Sequence, residues 1–199
     1  VNKAKLQEEM GLPVKPDVPV IGIVSRLVSH KGFDLVKRVF EDMLKADIQF
    51  AILGSGEWEF ETFFYGMKEK YPDKVGLRLG FIPQLAHRIY AGADIFLMPS
   101  KSEPCGLAQM VALRYGTIPI VRETGGLKDT IQDSGDGKGN GFTFATYNAH
   151  DMLESIWRSL AGYSDREGWN ILVKRAMNCD NSWKRSAGEY IKIYKELTK

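Results

Sequence analysis

The sequence predicts an α/β fold: a Rossmann-like, mainly parallel sheet of about six strands flanked by helices, with a helical C-terminal tail. Three observations carry this. Short apolar runs recur at 19–24, 48–53, 75–79, 95–98 and 118–121, and most are followed by a stretch with helical spacing. Strands alternating with helices over short connections pair in parallel through right-handed crossovers. From Asn148 onward the pattern is helical only.

Taken in order, 2–10 has helical spacing and is closed by Gly11 and Pro13, and 14–19 is a polar linker with Pro16 and Pro19. The domain proper is expected to begin near Val18. A buried strand at 19–24, a loop at 25–32 and an amphipathic helix at 33–46 make one βα unit. The pattern repeats as strand 48–53, the turn Gly54-Ser55-Gly56 and helix 58–71, then as strand 75–79 and helix 84–91. Ala93 to Met98 is a short apolar run of the kind buried in a parallel sheet, and 106–114 places Leu107, Met110, Val111 and Arg114 along one side of a helix. A strand at 118–121 and a short last one at 141–144 complete the sheet. The loop 133–141 is dense in glycine, has no apolar residue to anchor it, and is expected to be mobile. Helices follow at 149–163, 165–177 and 182–197, with Ser182 as N-cap of the last, and Trp157, Trp169 and Trp183 are expected to pack this tail down. The expected division is 1–17 as helix and linker, 18–180 as the Rossmann-like domain, and 181–199 as a C-terminal helix.

With 199 residues, 44% of them apolar, the chain buries a real core. Its net charge of +2, from 27 basic and 25 acidic residues, is too balanced to argue for a nucleic acid or membrane partner, so any anion must be bound locally. Cys105 and Cys179 lie far apart, and neither a secretory signal nor a bilayer-spanning apolar run is evident; a reduced, cytoplasmic protein is expected. The first residues lack an initiator Met and are read as the middle of a longer chain.

The chemistry centres on Met98-Pro99-Ser100-Lys101-Ser102-Glu103, which sets one acidic side chain where an apolar strand gives way to a helix. The carboxyl edge of a strand is where open α/β sheets bind ligands, and amides that start a helix hold anions. Arg26 and Lys31 lie just ahead of another helix start, an arrangement suited to neutralising a departing diphosphate; a solvated basic loop is the alternative. Gly54-Ser55-Gly56 lacks the third glycine of a dinucleotide fingerprint, Glu59 standing in its place. Neither a Walker loop nor an Asp-x-Asp pair occurs, and His30, His87 and His150 have no ligand spacing, so no metal and no cofactor is assigned. Thr124-Gly125-Gly126 offers small residues to an anion, or forms a plain strand-to-helix turn. Cys105 borders the proposed crevice as a shape-filling contact, without a paired His to make it a nucleophile. Phe81 is either a stacking face for a nucleobase or a core residue.

Taken together, Ser25-Arg26-Leu27, Lys31-Gly32, the run from His87 to Asp94, Glu103-Pro104-Cys105-Gly106-Leu107, Arg114 to Thr117, and Thr124 to Thr130 resemble the C-terminal half of bacterial glycogen synthases and plant starch synthases. These are retaining glucosyltransferases of the GT-B fold, and the resemblance runs over nearly the whole chain, Asn181-Ser182-Trp183 included. It implies that ADP-glucose is held here and that an N-terminal domain in cis supplies the groove for an α-1,4-glucan. Arg26 and Lys31 would then bind the diphosphate, Glu103 would lie by the donor glucose, and the amides of Gly106, Leu107 and Ala108 would contact phosphate. Phe81 would stack on adenine, and Gly54, Cys105, Thr124, Gly125 and Gly126 would line the same site. The final helix would cross back to the other domain, exposing an apolar stripe over 190–199, and the chain alone would not elongate glucan. The resemblance places it in the cytoplasm, or in a plastid if the source is a plant.

The sequence departs from the family at three points. Val111 stands where the wider retaining group has a second Glu, Phe81 replaces a common Tyr and keeps the π face, and Ala108 replaces a Thr, so only its backbone contact carries over. A UDP-sugar transferase of the same fold and a non-catalytic nucleotide-sugar module are the competing readings; a flavodoxin-like module finds no supporting residue.

Overall fold

The computed structural model describes residues 1–198. Six strands form one sheet in the order β3-β2-β1-β4-β5-β6, with every neighbouring pair parallel. They are β1 (Val20–Val24), β2 (Gln49–Gly54), β3 (Val75–Leu79), β4 (Ile95–Met98), β5 (Ile118–Arg122) and β6 (Phe142–Phe144). Apolar residues on both faces of the inner strands β1, β2, β4 and β5, as in the fully buried run of β2, are what a parallel sheet covered by helices on each side requires.

The helices are α1 (Asn2–Met10), α2 (Phe33–Met43), α3 (Trp58–Lys70), α4 (Pro83–Gly92), α5 (Ala108–Tyr115), α6 (Gly125–Thr130), α7 (Ala149–Ser164), α8 (Arg166–Met177) and α9 (Trp183–Leu197). On one face α2, α3 and α7 close the larger core. Within α2, Phe33, Val36, Val39, Phe40 and Met43 are buried at helical spacing. Phe40 is the hub of an aromatic cluster, its ring centroid 4.7 Å from Phe50, 5.6 Å from Phe63 and 5.6 Å from Phe64.

On the other face α1 and α4 cover β1 and β2. Leu6 and Met10 of α1 are buried, and Gln7 Nε2 donates to Gln49 Oε1 at 2.7 Å and to the Lys15 carbonyl at 3.1 Å. Lys3 reaches Asp94 at 2.7 Å; burial raises the Asp94 carboxyl above its ordinary range despite this partner. The first helix and its linker are thus fastened to the domain by apolar and polar contacts alike.

Two expectations gain detail and one is corrected. The loop 133–141 makes polar rather than apolar contacts: the Asp133 carboxylate accepts from Gly135 N at 2.9 Å, Thr143 N at 2.7 Å and Arg158 at 2.9 Å, and Arg175 donates to the Gly137 carbonyl. Ser182 occupies the N-cap of α9 but makes no capping hydrogen bond, whereas Asn148 and Asp165 cap α7 and α8 through their side chains. Of the tryptophans in the tail, Trp169 is buried, but Trp183 is 85% exposed and packs nothing down. The whole of α9 lies in this condition: among its described residues none is buried, and Trp183, Tyr190, Ile191, Tyr194 and Leu197 stand in solvent. Residue 199, the end of the expected stripe, lies outside the described residues.

Candidate functional site

The crevice follows from the strand order. β1 leads to β2 on one side of the sheet and β4 leads to β5 on the other, so the loops after the adjacent strands β1 and β4 part above their carboxyl ends. One loop brings Arg26 and Lys31, and the other brings Glu103.

Lys31 ends a 3-10 turn, Ser29–Lys31, and Gly32 follows with φ 81°, where a Cβ would fall 2.0 Å from the Pro99 carbonyl oxygen. The two loops meet at a spot that only glycine fits. Lys31 Nζ lies 2.5 Å from Glu103 Oε2, with side chains 18% and 12% exposed. Ser100 Oγ donates to the same carboxylate oxygen at 3.2 Å, and Lys101 N donates to the His30 carbonyl at 2.9 Å. Behind Glu103, Gly126 N is shared between the carbonyls of Glu103 at 3.3 Å and Pro104 at 3.2 Å.

Arg26 is exposed, with a guanidinium nitrogen 3.4 Å from His30 Nε2. It opens onto a cleft of about 390 Å³ whose walls include Ser25, Gly54, Ser55, Gly80 and Phe81. Phe81 is 91% exposed, which excludes the core reading and leaves its ring face free at the mouth of that cleft. Gly54 ends β2, and Gly80 N donates to its carbonyl at 3.0 Å. The basic loop is therefore not a merely solvated one: Lys31 is drawn under cover, and Arg26 borders a largely apolar slot.

Cys105 is an exposed free thiol whose Sγ faces the Gly106 carbonyl. Gly106 and Leu107 lead into α5, where Leu107 takes the N-cap position without a capping side chain. The first-turn amides of α5, beginning at Ala108, have no intrahelical acceptor and suit an anion. Thr124 precedes α6, and Gly125 and Gly126 begin it against the backbone of Glu103 to Cys105. The larger groove, about 710 Å³, lies across α5 between Met110, Arg114, Met177 and Ser182; it touches the crevice only through Leu107. Among the described residues no group of three or more His, Cys, Asp or Glu is placed to hold a metal.

Sequence reasoning missed the frame behind the site. Arg122, the last residue of β5, donates to the carbonyls of Ser100 at 3.0 Å and Lys101 at 2.5 Å, and so grips the turn that presents Glu103. Its guanidinium lies 5.5 Å from the centre of the Tyr147 ring, and the Tyr147 hydroxyl donates to Asp34 in the first turn of α2. Burial, with Asp34 adding to it, raises the Tyr147 phenol well above its ordinary value and keeps it a donor. One signal was available: Arg122 ends a buried strand just as Arg26 follows one.

Fold and site define an α/β domain with a crevice at the switch point, where a carboxylate paired with a lysine lies beside the turn into α5 and an apolar slot opens next to it. A family model for glycosyl transferases group 1 matches residues 6–171, and the chain belongs to that family. The glycogen synthase of Anoxybacillus flavithermus is 55% identical over 199 residues, covering 99% of this chain and 41% of that protein. The catalytic domain of starch synthase IV from Arabidopsis thaliana, bound to ADP and acarbose, is 38% identical and superposes with a TM-score of 0.89 over 98% of this chain and 42% of that one. The C-terminal domain of a glycosyl transferase group 1 family protein from Francisella tularensis shares the fold, at a TM-score of 0.67 and 18% identity, over 88% of this chain and 89% of that one. The chain spans about two fifths of the length of the glycogen synthases it matches.

Proposed function

We propose that this chain is the donor-binding half of a glycogen (starch) synthase, which transfers glucose with retention from ADP-glucose to the 4-hydroxyl end of an α-1,4-glucan. The observation that carries the reading is the Lys31–Glu103 pair at the switch point, next to the turn into α5, with Arg26 and Phe81 on the walls of a neighbouring apolar slot. In such a transfer positive charge develops on the sugar while negative charge grows on the leaving ADP. Arg26, Lys31 and the amides from Gly106 to Ala108 stabilise that leaving group. Glu103 accepts hydrogen bonds from the sugar hydroxyls and orients the donor, while Lys31 and Ser100 hold the carboxylate in place. Phe81 stacks on adenine; Gly54 and Cys105 border the nucleotide, and Thr124, Gly125 and Gly126 back the phosphate turn.

In this reading residues 18–180 bind the nucleotide sugar, 1–17 join that domain to an N-terminal domain in cis, and 181–199 return to that domain. The bare apolar side of α9 and the groove at its base supply the surface for that return. Without the partner domain the chain binds nucleotide and does not elongate glucan. A cytoplasmic location, or a plastid one for a plant source, goes with the same reading; no helix among the described residues is long and apolar enough to cross a membrane.

The test is calorimetric titration of the chain with ADP and then UDP, alongside Lys31→Ala. Tighter binding of ADP that weakens in the variant supports the reading; the loss of a desolvated charge contact would cost roughly 30- to 1000-fold in rate in the full-length protein. Preference for UDP would favour a UDP-sugar transferase, and binding indifferent to Lys31 would remove the phosphate site from where we place it.

A further inference from the structure

Gln109, the second residue of α5, has no solvent exposure. Its Nε2 lies 3.2 Å from the Cys105 carbonyl oxygen, 2.9 Å from that of Gly106 and 3.1 Å from Thr130 Oγ1. The Thr130 hydroxyl in turn donates to the Gly126 carbonyl at 2.6 Å. Gln109 Oε1 is buried without a partner, beside Gly106, where an added Cβ would come within 2.6 Å of it. Turning the amide over would set Oε1 against two carbonyl oxygens, so the orientation is determined by the turn itself. A buried amide oxygen left unpaired costs stability, and this side chain bears that cost while bonding the turn.

The geometry of the peptide bond gives those contacts their consequence. In a trans peptide the C=O and N–H of one unit point to opposite sides. Drawing the Cys105 and Gly106 carbonyls inward therefore turns the N–H groups of Gly106 and Leu107 outward, and among the described residues neither has a protein acceptor. We infer that Gln109 is a positioning residue: it orients the amides of the anion turn towards the diphosphate and, through Thr130, locks that turn to the Thr124-Gly125-Gly126 segment. The inference rests on the reading of this crevice as a nucleoside diphosphate site.

The test compares ADP with adenosine on the chain, because adenosine uses the base slot and lacks the phosphates. Gln109→Met keeps the volume and removes both donors. ADP affinity should fall about tenfold while adenosine affinity stays unchanged. Thr130→Val, which removes the hydroxyl that joins Gln109 to the Gly126 carbonyl but leaves the Gln109 contacts to Cys105 and Gly106, should weaken ADP selectively and to a smaller degree; it also decides the matter should Gln109→Met fail to fold. Equal loss for both ligands, or wild-type affinity for both, would reduce Gln109 to a packing residue and overturn the inference. Failure of the unsubstituted chain to bind ADP would instead overturn the nucleotide reading, and the inference with it.

Discussion

Replacing Gly126 with Ala probes how the crevice is held together. Gly126 is buried, and its φ is not positive, so the backbone conformation is one that alanine adopts. Space is the obstacle: a Cβ there would fall 2.0 Å from the Cys105 carbonyl oxygen and 2.6 Å from the Cys105 carbonyl carbon and Cα. All three atoms are backbone and cannot rotate aside. Moving from 2.0 Å to ordinary contact at 3.4 Å requires a shift of about 1.4 Å, and it falls on the segment carrying Glu103 and the turn into α5. Overpacking of this kind costs about 1–3 kcal/mol of stability. A displacement on the order of 1 Å in positioning groups costs about 100-fold in rate, and under the proposed function that loss would fall on glucosyl transfer by the full-length protein. Gly66→Ala is the control, since a Cβ there meets nothing within 4 Å on α3, and alanine in a helix gains up to about 1 kcal/mol over glycine. Urea unfolding of both variants, followed by ADP titration, reads the two effects separately. If Gly126→Ala unfolded at the wild-type midpoint and bound ADP with wild-type affinity, the account of how α6 buttresses Glu103 would be wrong.

Three further outcomes are expected. Phe81→Ala should weaken ADP by about 1–3 kcal/mol, the usual worth of a base stacked on an aromatic ring, with no loss of melting temperature because the ring is 91% exposed; Phe81→Tyr should restore binding. Phe40→Ala, at the hub of the aromatic cluster, should cost about 3–5 kcal/mol in urea unfolding, and a loss under 1 kcal/mol would mean that the cluster collapses around the gap. At Asp133, burial pushes the carboxyl up, but Arg158 with the N–H groups of Thr143 and Gly135 outweighs it and holds the group below 3.8. The folded protein therefore protonates Asp133 less readily than the unfolded chain, and its stabilising contribution is present above 3.8 and fades as pH falls towards the lower folded value. Asp133→Asn should lower the melting temperature at neutral pH, with the gap to wild type narrowing below about pH 4; an unchanged gap would show that the charge is not the cause.

How much was legible in the sequence differs by feature. β3 and β4 end where the sequence puts them, because apolar runs stop there at Gly80 and Pro99. The helix expected over 33–46 ends at Met43 instead: Leu44 is still buried although the chain has left the helix, and apolar spacing reports burial rather than hydrogen bonding. The anchors of the 133–141 loop are carboxylate, amide and guanidinium groups, which a search for apolar anchors passes over. Trp183 shows the converse limit, since a large apolar residue marks a need for burial without supplying the surface that meets it.

By itself the sequence determined the alternation of strands and helices and the residues standing at strand ends, Arg26, Phe81 and Glu103 among them. Periodicity and turn chemistry are local, and they survive in a bare string of residues. Only the tertiary structure decided which strand ends are neighbours. The order β3-β2-β1-β4-β5-β6 sets β1 beside β4 and so brings Lys31 within 2.5 Å of Glu103, 72 positions away. It also sets Arg122 against the carbonyls of Ser100 and Lys101, and Gln109 against Thr130. Such contacts depend on how sheet and helices pack across the whole chain, and no local pattern of residue types encodes them.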